Sequence, residues 1–312
     1  MPRLYYEDGH FEEVENINGY LLPAPHIYVE SRTTPLCPVP IMCLGNMPRD
    51  DGNLTLSSDE REEFIKKCPQ AEKYIRQFLG AEEFLHNKKR YCLWLVDCPP
   101  DEIKNNKFIY ERVKNVKIFR EKSKREGTRK LAEVPHLFAE IRQPNENYIL
   151  VPRHSSEKRK YIPIDYVSPE IICGDANLMI PNAELWHFGI LTSKVHMAWT
   201  KAICGRLTSR LRYSAKIVYN NFVWMRMYHE DYEKLNIAAQ KILDCRKKYP
   251  NASLADLYDE VTMPKDLRRA HREVDKIAMK IYHLDEDMSD EDIAVTLLMM
   301  YEEYKNFVAG KV

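Results

Sequence analysis

The chain has 312 residues, and its 47 basic and 47 acidic side chains give a formal net charge of zero. Hydrophobic residues make up 44% and charged residues 30% of the sequence, a composition that excludes an intrinsically disordered chain. The N-terminus has no apolar core of signal-peptide length and no stretch approaches a membrane span, so we expect a cytoplasmic protein without a membrane partner.

The first half of the chain predicts alternating short strands and helices. Residues 19–44 combine β-branched and aromatic residues with many prolines, which favours short edge strands and irregular connections rather than helix. Residues 57–84 predict one helix that Gly80 ends, and residues 90–97 predict a strand. The prolines at 99 and 100 then open a helical pattern that continues to about Arg125.

The second half predicts a sheet followed by helices. Residues 137–183 form short β-type runs separated by Pro, Asn, Ser and Gly. The stretch "ILTSKVHMAWTKAICG" returns to helical spacing, with Thr192 or Ser193 as cap and Gly205 as terminator. Further helices are predicted over Asp231–Tyr249, Ser253–Tyr258, Lys265–Tyr282 and Asp290–Phe307.

These elements predict an α+β protein in three parts. Residues 1–18 form an acidic N-terminal leader, residues 19–224 a mixed α/β domain with short strands, and residues 225–312 an all-helical domain. The acidic stretch from residue 288 to 312 is predicted as a helix, and its role as a clamp, an interaction helix or a cap stays open.

Patterns of catalytic or metal-binding residues are weak throughout. The eight cysteines form no Cys-x-x-Cys pair, the ten histidines are isolated from one another, and ten glycines supply no phosphate-cradling loop. A hydrolase site at His154 and Ser155 is disfavoured, because no glycine flanks the serine and adjacent strand residues point to opposite faces. We therefore predict no catalytic residue, no metal site and no cofactor in this chain, which leaves a binding module.

Local charge is strongly segregated. Residues 185–229 contain no Asp or Glu, residues 112–130 contain nine Lys or Arg, and residues 153–163 read "RHSSEKRKYIP". Three basic segments of this kind indicate a surface for phosphates, although each alone is typical of a solvated face. The predicted DNA-binding residues are Arg120, Lys122, Lys124, Arg125, Arg153, Ser155, Ser156, Glu157, Lys158, Arg159, Lys160, Arg206, Arg210, Arg212, Tyr213, Asn220 and Asn221.

The segment "RHSSEKRKYIP" and its flanks predict a recognition hairpin. We expect Ile149–Arg153 and Lys160–Ile164 to be its strands, with Glu157 and Arg159 near an exposed tip. A carboxylate beside DNA is unfavourable unless it accepts a donor such as cytosine N4, and Arg159 would suit guanine O6 and N7. Arg206, Arg210 and Arg212 follow a helix end and are predicted on a loop or turn that contacts the DNA backbone.

Longer blocks of the sequence carry a family resemblance. The stretches "ILVPRHSSEKRKYIPI", "HFGILTSKVHMAWTKAICGRLTSRLRYSAKIVYNNF" and "NASLADLYDEVTMP" resemble the C-terminal half of the MmeI-like (type IIL or IIG) DNA methyltransferase and restriction enzymes. The resemblance implies that residues 19–224 are a DNA target recognition domain and that residues 225–312 are the family's helical C-terminal domain.

The resemblance further implies a specificity module for a restriction-modification enzyme that methylates adenine N6. Its partners would be double-stranded DNA and a methyltransferase domain of the same polypeptide or complex, and S-adenosylmethionine would be expected in the full-length enzyme. The methyltransferase and nuclease motifs are absent from this sequence, so the chain is expected to be a fragment or a truncated copy. The stretch "YNNFVWMRM" also lacks two prolines that the family usually has there.

Two other functions remain open at this point. The chain could be a protein-binding adaptor whose basic surface meets an acidic partner, or an enzyme with an unrecognised active site. Salt-dependent duplex binding would favour DNA over a protein partner, and S-adenosylmethionine bound to this chain alone would favour an enzyme.

Overall fold

The computed structural model describes residues 1–6 and 8–310, and it divides into two compact units. Unit 1 contains residues 1–42, 151–166 and the chain from 183 onward, and unit 2 contains residues 43–150 and 167–182. Glu7 of the predicted leader and the last two residues of the predicted acidic helix lie outside the described residues.

The strands are short, as the proline-rich and mixed sequence predicts. In chain order they are β1 (Arg3–Tyr5), β2 (Phe11–Glu13), β3 (Cys43–Leu44), β4 (Thr55–Ser57), β5 (Ile75–Leu79), β6 (Arg90–Leu93), β7 (Tyr148–Pro152), β8 (His154–Ser155), β9 (Asp165–Val167), β10 (Ile172–Cys173), β11 (Asn177–Ile180), β12 (Gly205–Leu207) and β13 (Arg210–Arg212).

The helices concentrate in the second half of the chain. They are α1 (Ser58–Lys67), α2 (Ala81–His86), α3 (Pro100–Asn105), α4 (Lys107–Glu121), α5 (Glu126–Lys130), α6 (Leu185–Leu191), α7 (Lys194–Ile203), α8 (His229–Lys247), α9 (Leu254–Leu257), α10 (Lys265–Ile281) and α11 (Asp290–Val308). The predicted α+β class, with a helical C-terminal region, is confirmed.

Unit 2 is built on a four-stranded sheet with the order β10-β5-β6-β4. Strand β5 pairs parallel to β10 and antiparallel to β6, and α1 and α4 cover the apolar side chains around Leu93 and Val116. The chain passes between the two units within β7 and within β9, which belong to a further sheet of order β3-β11-β7-β9.

The single helix predicted over residues 57–84 is wrong in its second half. Helix α1 ends at Lys67, a 3-10 helix runs over Pro69–Tyr74, and Ile75–Leu79 form β5. Proline 69 has no N–H for the helical ladder and restricts the residue before it, so the helix stops there. Gly80 begins α2 as its N-cap instead of ending a helix.

Residues 19–44, all of which the structure describes, contain one strand only, β3. The segment is thus mostly the irregular connection that was predicted beside the edge strands, and the predicted strands are limited to β3. Its prolines lack the backbone N–H groups that would pair with a neighbouring strand. Backbone carbonyls of this segment instead accept hydrogen bonds from side chains of unit 1. The Asn220 amide donates to the carbonyl oxygen of Arg32 at 2.9 Å, and the Asn221 amide donates to that of Glu30 at 2.9 Å.

Unit 1 contains the helices α6–α11. Helix α8 packs against α6 and α10, and α7 packs against α11. A Cβ added to Gly189 of α6 would lie 3.2 Å from Leu235 Cδ2 of α8, so these two helices approach closely at a residue without a side chain. The helix bounds predicted from residue 231 onward differ from those of α8–α11 by a few residues, which is the usual uncertainty at helix ends. Among the described helices, none is both long and apolar enough to cross a membrane.

Candidate nucleic-acid interface

A small three-stranded sheet in unit 1 joins two distant segments of the chain, and its arginines lie on the β12–β13 segment. Strands β12 and β13 form a hairpin, and β8 pairs antiparallel with β13 on its other side. Leu207 pairs with Arg210 across the hairpin, while Arg212 pairs with His154 of β8. We call β8, β12 and β13 the arginine sheet.

The arginine sheet has one buried and one exposed face. Leu211 and Ser155 are opposite each other and buried, whereas Arg210 and Arg212 are exposed. Successive side chains of a strand point to opposite faces, so one apolar position between two arginines fixes which face meets solvent. The exposed face therefore carries Arg210, Arg212 and the half-buried His154.

A tight turn follows β8 directly. The backbone N–H of Arg159 donates to the carbonyl oxygen of Ser156 at 3.3 Å, and the N–H of Lys158 donates to the Ser156 hydroxyl at 3.3 Å. Glu157 and Lys158 are thus the two central residues of a turn. We call residues 156–160 the basic turn. Its two lysines are exposed, whereas Glu157 and Arg159 are half-buried, so the tip is less open to solvent than predicted.

The predicted hairpin of residues 149–164 is wrong. β8 pairs with β13 and not with residues 160–164, which form no strand before β9 begins at Asp165. Tyr161, Ile162 and Ile164 are buried, and the amide of Ile162 donates to the sulfur of Met197 at 3.3 Å. This apolar run is used for packing against helices, and Pro163 within it cannot donate to a strand ladder.

The predicted loop location of the other arginines is also corrected. Arg206 lies on β12, and Arg210 and Arg212 lie on β13, with only Thr208 and Ser209 between the strands. Thr208 has a φ of 56°, a left-handed conformation that is uncommon for a β-branched residue. The arginines are therefore held on paired strands, which fixes their spacing more firmly than a loop would.

His154 lies among positively charged side chains on the exposed face of the arginine sheet. Partial burial lowers the pKa of His154, and the neighbouring Arg153, Arg212 and Arg210 lower it further. Burial first, and the neighbouring arginines second, therefore make this imidazole harder to protonate than a free histidine.

Glu157 is the acidic exception in this surface. Backbone hydrogen bonding lowers the pKa of its carboxyl most, and desolvation opposes that shift. A hydrogen bond from Ser209 and the charges of Lys158 and Arg206 lower the pKa further. Glu157 is therefore ionised at neutral pH and lies beside the hairpin turn of β12 and β13. Residues 153–160 and 205–212 together contain seven basic side chains and this one acid.

Arg159 lies between charges of both signs. Burial lowers the pKa of its guanidinium, and the charge of Arg210 lowers it further, while Asp259 opposes the shift. Asp259 precedes α10 and Arg210 belongs to β13, so the charge of Arg159 interacts with charges on both of these elements. Within one turn, the Glu157 carboxylate can therefore accept a hydrogen bond and the Arg159 guanidinium can donate one.

Comparison with known proteins gives two matches along the chain. The protein-family model described as "MmeI, target recognition domain" matches residues 23–226. A second family model, described as "MmeI, C-terminal domain", matches residues 228–309. The chain belongs to the MmeI family. The resemblance inferred from the sequence blocks is confirmed.

Two relatives of the MmeI family give the scale of the likeness. A curated protein of Bacillus subtilis (strain 168), DNA methyltransferase A, is 38% identical over 290 residues, which are 93% of this chain and 33% of that protein. The solved structure of the Type IIL restriction-modification enzyme MmeI in complex with DNA is 38% identical, with a TM-score of 0.90 over 96% of this chain and 41% of that one. The chain therefore spans well under half the length of both relatives.

Four predicted contact residues of this MmeI-family chain are buried within unit 1. Ser155 is 3% exposed and Tyr213 2% exposed, and the Tyr213 hydroxyl lies 2.8 Å from His196 Nε2. Asn220 and Asn221 are buried and hold backbone carbonyls of the N-terminal segment. Their predicted role as DNA contacts does not fit these positions, because side chains enclosed in the fold cannot reach a duplex.

Arg120 in unit 2 is likewise structural. Its side chain is fully buried and donates to five backbone carbonyl oxygens at 2.7–3.1 Å, a role in which it holds together the segments around it. Its predicted phosphate contact therefore does not fit. Lys122, Lys124 and Arg125, between α4 and α5, are exposed.

Among the described residues, no group of three or more His, Cys, Asp or Glu side chains is placed to hold a metal ion.

Sequence reasoning missed two parts of the candidate interface. The first is the β12–β13 hairpin, whose signal was the alternation in "RLTSRLR". The second is the contact of Tyr161 with α10, which joins residues 114 positions apart and left no local signal.

Proposed function

We propose that this chain binds double-stranded DNA and reads a short sequence in it for a site-specific DNA methyltransferase of a restriction-modification system. The observation that carries the proposal is the ionised Glu157 beside Arg159 in the basic turn, next to the exposed arginines of the arginine sheet. Membership of the MmeI family and the likeness to MmeI, which was solved in complex with DNA, support it.

The basic side chains would hold the DNA backbone. Arg210 and Arg212 project from the exposed face of the arginine sheet, and Lys158 and Lys160 are exposed in the basic turn. Contacts of this kind fix the position of a protein on the duplex without reading bases. Arg153 and Arg206 flank the same surface, and Ser156 closes the turn.

Glu157 and Arg159 would read one base pair. A carboxylate accepts from cytosine N4, and a guanidinium donates to guanine O6 and N7, so the two together suit a cytosine-guanine pair in the major groove. The wrong pair would cost about 1–3 kcal/mol. This role requires an ionised carboxylate, and the lowered pKa of Glu157, caused first by backbone hydrogen bonding and further by Ser209, Lys158 and Arg206, fits it.

Further parts of the predicted organisation belong to the same proposal. Residues 19–224 would form the DNA target recognition domain and residues 225–312 the helical C-terminal domain, while Lys122, Lys124 and Arg125 would add a backbone contact from unit 2. A methyltransferase domain of the same polypeptide or complex would use S-adenosylmethionine to methylate adenine N6, and this chain would present the site to it.

The experiment is a salt titration of duplex binding by the chain, followed by fluorescence anisotropy of a labelled DNA. Neutralisation of several phosphates predicts that the logarithm of the binding constant falls linearly with the logarithm of salt concentration, with a slope of roughly −0.9 per phosphate. Binding with no such dependence would contradict the proposal. Tight binding of an acidic protein with no duplex binding would favour the adaptor function instead.

The unrecognised-enzyme alternative has a separate test. The chain is mixed with labelled S-adenosylmethionine and unmethylated duplex, and transfer of label is measured. We expect no transfer by this chain, and turnover by contaminant-free protein would overturn that expectation.

A further inference from the structure

Helix α10 has a buried apolar side and carries acidic and basic side chains around the rest of its surface. Its apolar side, including Leu267, Val274 and Ala278, is buried. Two of its acids, Asp266 and Glu273, form ion pairs with Lys248, just after α8, at 3.3 Å and with Lys241 of α8 at 2.6 Å. The acids on the side towards α8 are therefore neutralised by α8.

A row of basic side chains runs along the exposed side of the same helix. At 100° per residue, positions 265, 269, 272 and 276 fall within one narrow arc, and all four are exposed. We call Lys265, Arg269, Arg272 and Lys276 the α10 ridge. At a rise of about 1.5 Å per residue, the ridge covers about 16 Å.

The ridge retains most of its positive charge. Lys276 pairs with Glu286 at 2.9 Å, but both side chains are more than 60% exposed, and such a pair contributes little. Arg268, at the edge of the arc, donates to the carbonyl oxygen of Glu260 at 3.0 Å, an interaction that neutralises no charge. The ridge is thus a cationic strip rather than an ion-pair network.

The basic turn is anchored on α10 at two positions that lie within the length of the ridge. The ring of Tyr161 stacks on His271 with centroids 4.2 Å apart, and its hydroxyl donates to Asp275 at 2.6 Å. Tyr161 directly follows Lys160 of the basic turn, and Arg272 lies between the two anchoring positions on α10. Lys160 and Arg272 both act electrostatically on this anchor, since each shifts a pKa within it.

We propose that the α10 ridge contacts the phosphates of the DNA segment next to the bases read by the basic turn. The inference rests on the proposed function. It means that the helical region itself contacts DNA and does not only cover the rest of unit 1. A duplex presents negative charges along a line, which a row of cations on a straight helix matches. Phosphate contacts of this kind raise affinity for every sequence alike.

The test compares two triple variants with equal charge change. Arg269→Gln, Arg272→Gln and Lys276→Gln are combined in the ridge variant. The control combines Lys88→Gln of unit 2 with Lys234→Gln and Lys247→Gln on α8, and each of these lysines has an acidic partner within 3.2 Å that is not on α10. Circular dichroism melting establishes that both variants are folded, and duplex binding is then titrated with salt.

We expect the ridge variant to bind matched and unmatched duplexes equally more weakly, by roughly eightfold at 0.1 M salt for each phosphate that is no longer neutralised. Its salt slope should become shallower by about 0.9 for each such phosphate. The control should change the slope by less than the value for one phosphate. Equal weakening in both variants would mean a general charge effect and would overturn the inference.

Two further outcomes separate this inference from the proposed function. If the wild-type chain binds duplex and Arg212→Gln weakens binding while the ridge variant does not, the inference fails and the proposed function stands. If the wild-type chain shows no salt-dependent duplex binding, both fail. If the ridge variant no longer binds poly-glutamate but binds duplex as the wild type does, the ridge belongs to an acidic protein partner and the inference is also overturned.

Discussion

The phenol of Tyr161 donates a 2.6 Å hydrogen bond to one carboxylate oxygen of Asp275, and the backbone N–H of Lys194 donates to the other at 2.6 Å. Burial raises the pKa of the Asp275 carboxyl, and these two donors act against that rise. A buried acid on α10 is thereby tied to the residue that follows the basic turn and to the first residue of α7. The position of the turn therefore depends on the helical region.

The hydrogen bond between Tyr161 and Asp275 should contribute to stability. We expect Tyr161→Phe to lower the free energy of unfolding by about 1–3 kcal/mol, since the acceptor is a buried carboxyl group. The same change in an Asp275→Ala background should cost less, because the acceptor is already gone. Urea denaturation of the four proteins of this cycle measures the coupling, and strictly additive effects would rule it out.

Arg120 should be among the most sensitive positions in unit 2. Its replacement by Met removes the donor of five buried backbone carbonyls, and we expect the free energy of unfolding to fall by at least about 3 kcal/mol. Lys122→Met is the matched control, because Lys122 is exposed just beyond the same helix, and it should cost less than about 0.5 kcal/mol. Equal effects in chemical denaturation would show that Arg120 does not hold these segments.

The buried histidines should make stability fall with acid. Burial lowers the pKa of His196 to about 3 and that of His187 to about 4, against an ordinary value of 6.5. Below pH 6.5 these two histidines become protonated in the unfolded chain but stay neutral in the folded chain, which favours unfolding. The stabilising contribution of the two neutral histidines is therefore complete above pH 6.5. It is lost as pH falls towards 4 at His187 and 3 at His196.

The measurement for this effect is the slope of unfolding free energy against pH between 6.5 and 5. Each buried histidine should contribute about 1.4 kcal/mol per pH unit in the lower part of that window. His196→Gln should reduce the slope by about that amount, whatever it does to stability at neutral pH. The raised pKa values of the Asp165 and Asp275 carboxyls act in the opposite direction, but the Gln variant leaves them in place. An unchanged slope would contradict the buried, neutral state of His196.

Arg212 should hold the DNA backbone without reading bases. Arg212→Gln is expected to weaken binding to matched and unmatched duplexes by the same factor and to lower the salt slope by about one unit. Lys234→Gln on α8 serves as the control for the charge change. Weakening confined to one duplex sequence would instead assign Arg212 to base reading.

Much of the helical region could be predicted from the sequence, because its elements are long and strongly periodic. The predicted cap at Ser193 lies at the start of α7, and the predicted starts of α9 and α11 are right to within one residue. Gly80 misled the prediction, since it follows a predicted helical pattern but begins α2, whereas Gly205 lies just after the end of α7 as predicted. A glycine fits either role, and only the surrounding chain decides between them.

The candidate site was predicted less well than the fold, for a physical reason. Polarity alone does not distinguish an exposed contact residue from a buried hydrogen-bonding one, so Arg120, Tyr213, Asn220 and Asn221 were assigned to DNA. Strand partners were equally hidden, because β8 pairs with a segment more than 50 residues away, and no local pattern encodes that pairing. The turn after β8 was predictable, since its residues are too polar for a core.

The reading of a base pair by Glu157 and Arg159 is tested most directly by exchanging their charges. The chain and its Glu157→Lys, Arg159→Asp variant are each used to select binding sites from a pool of random duplexes, and the selected sequences are compared. We predict that the variant prefers the reversed base pair at one position and keeps every other position of the wild-type site. An unchanged site selected by a folded variant with full affinity would contradict the account and reduce the basic turn to a solvated loop.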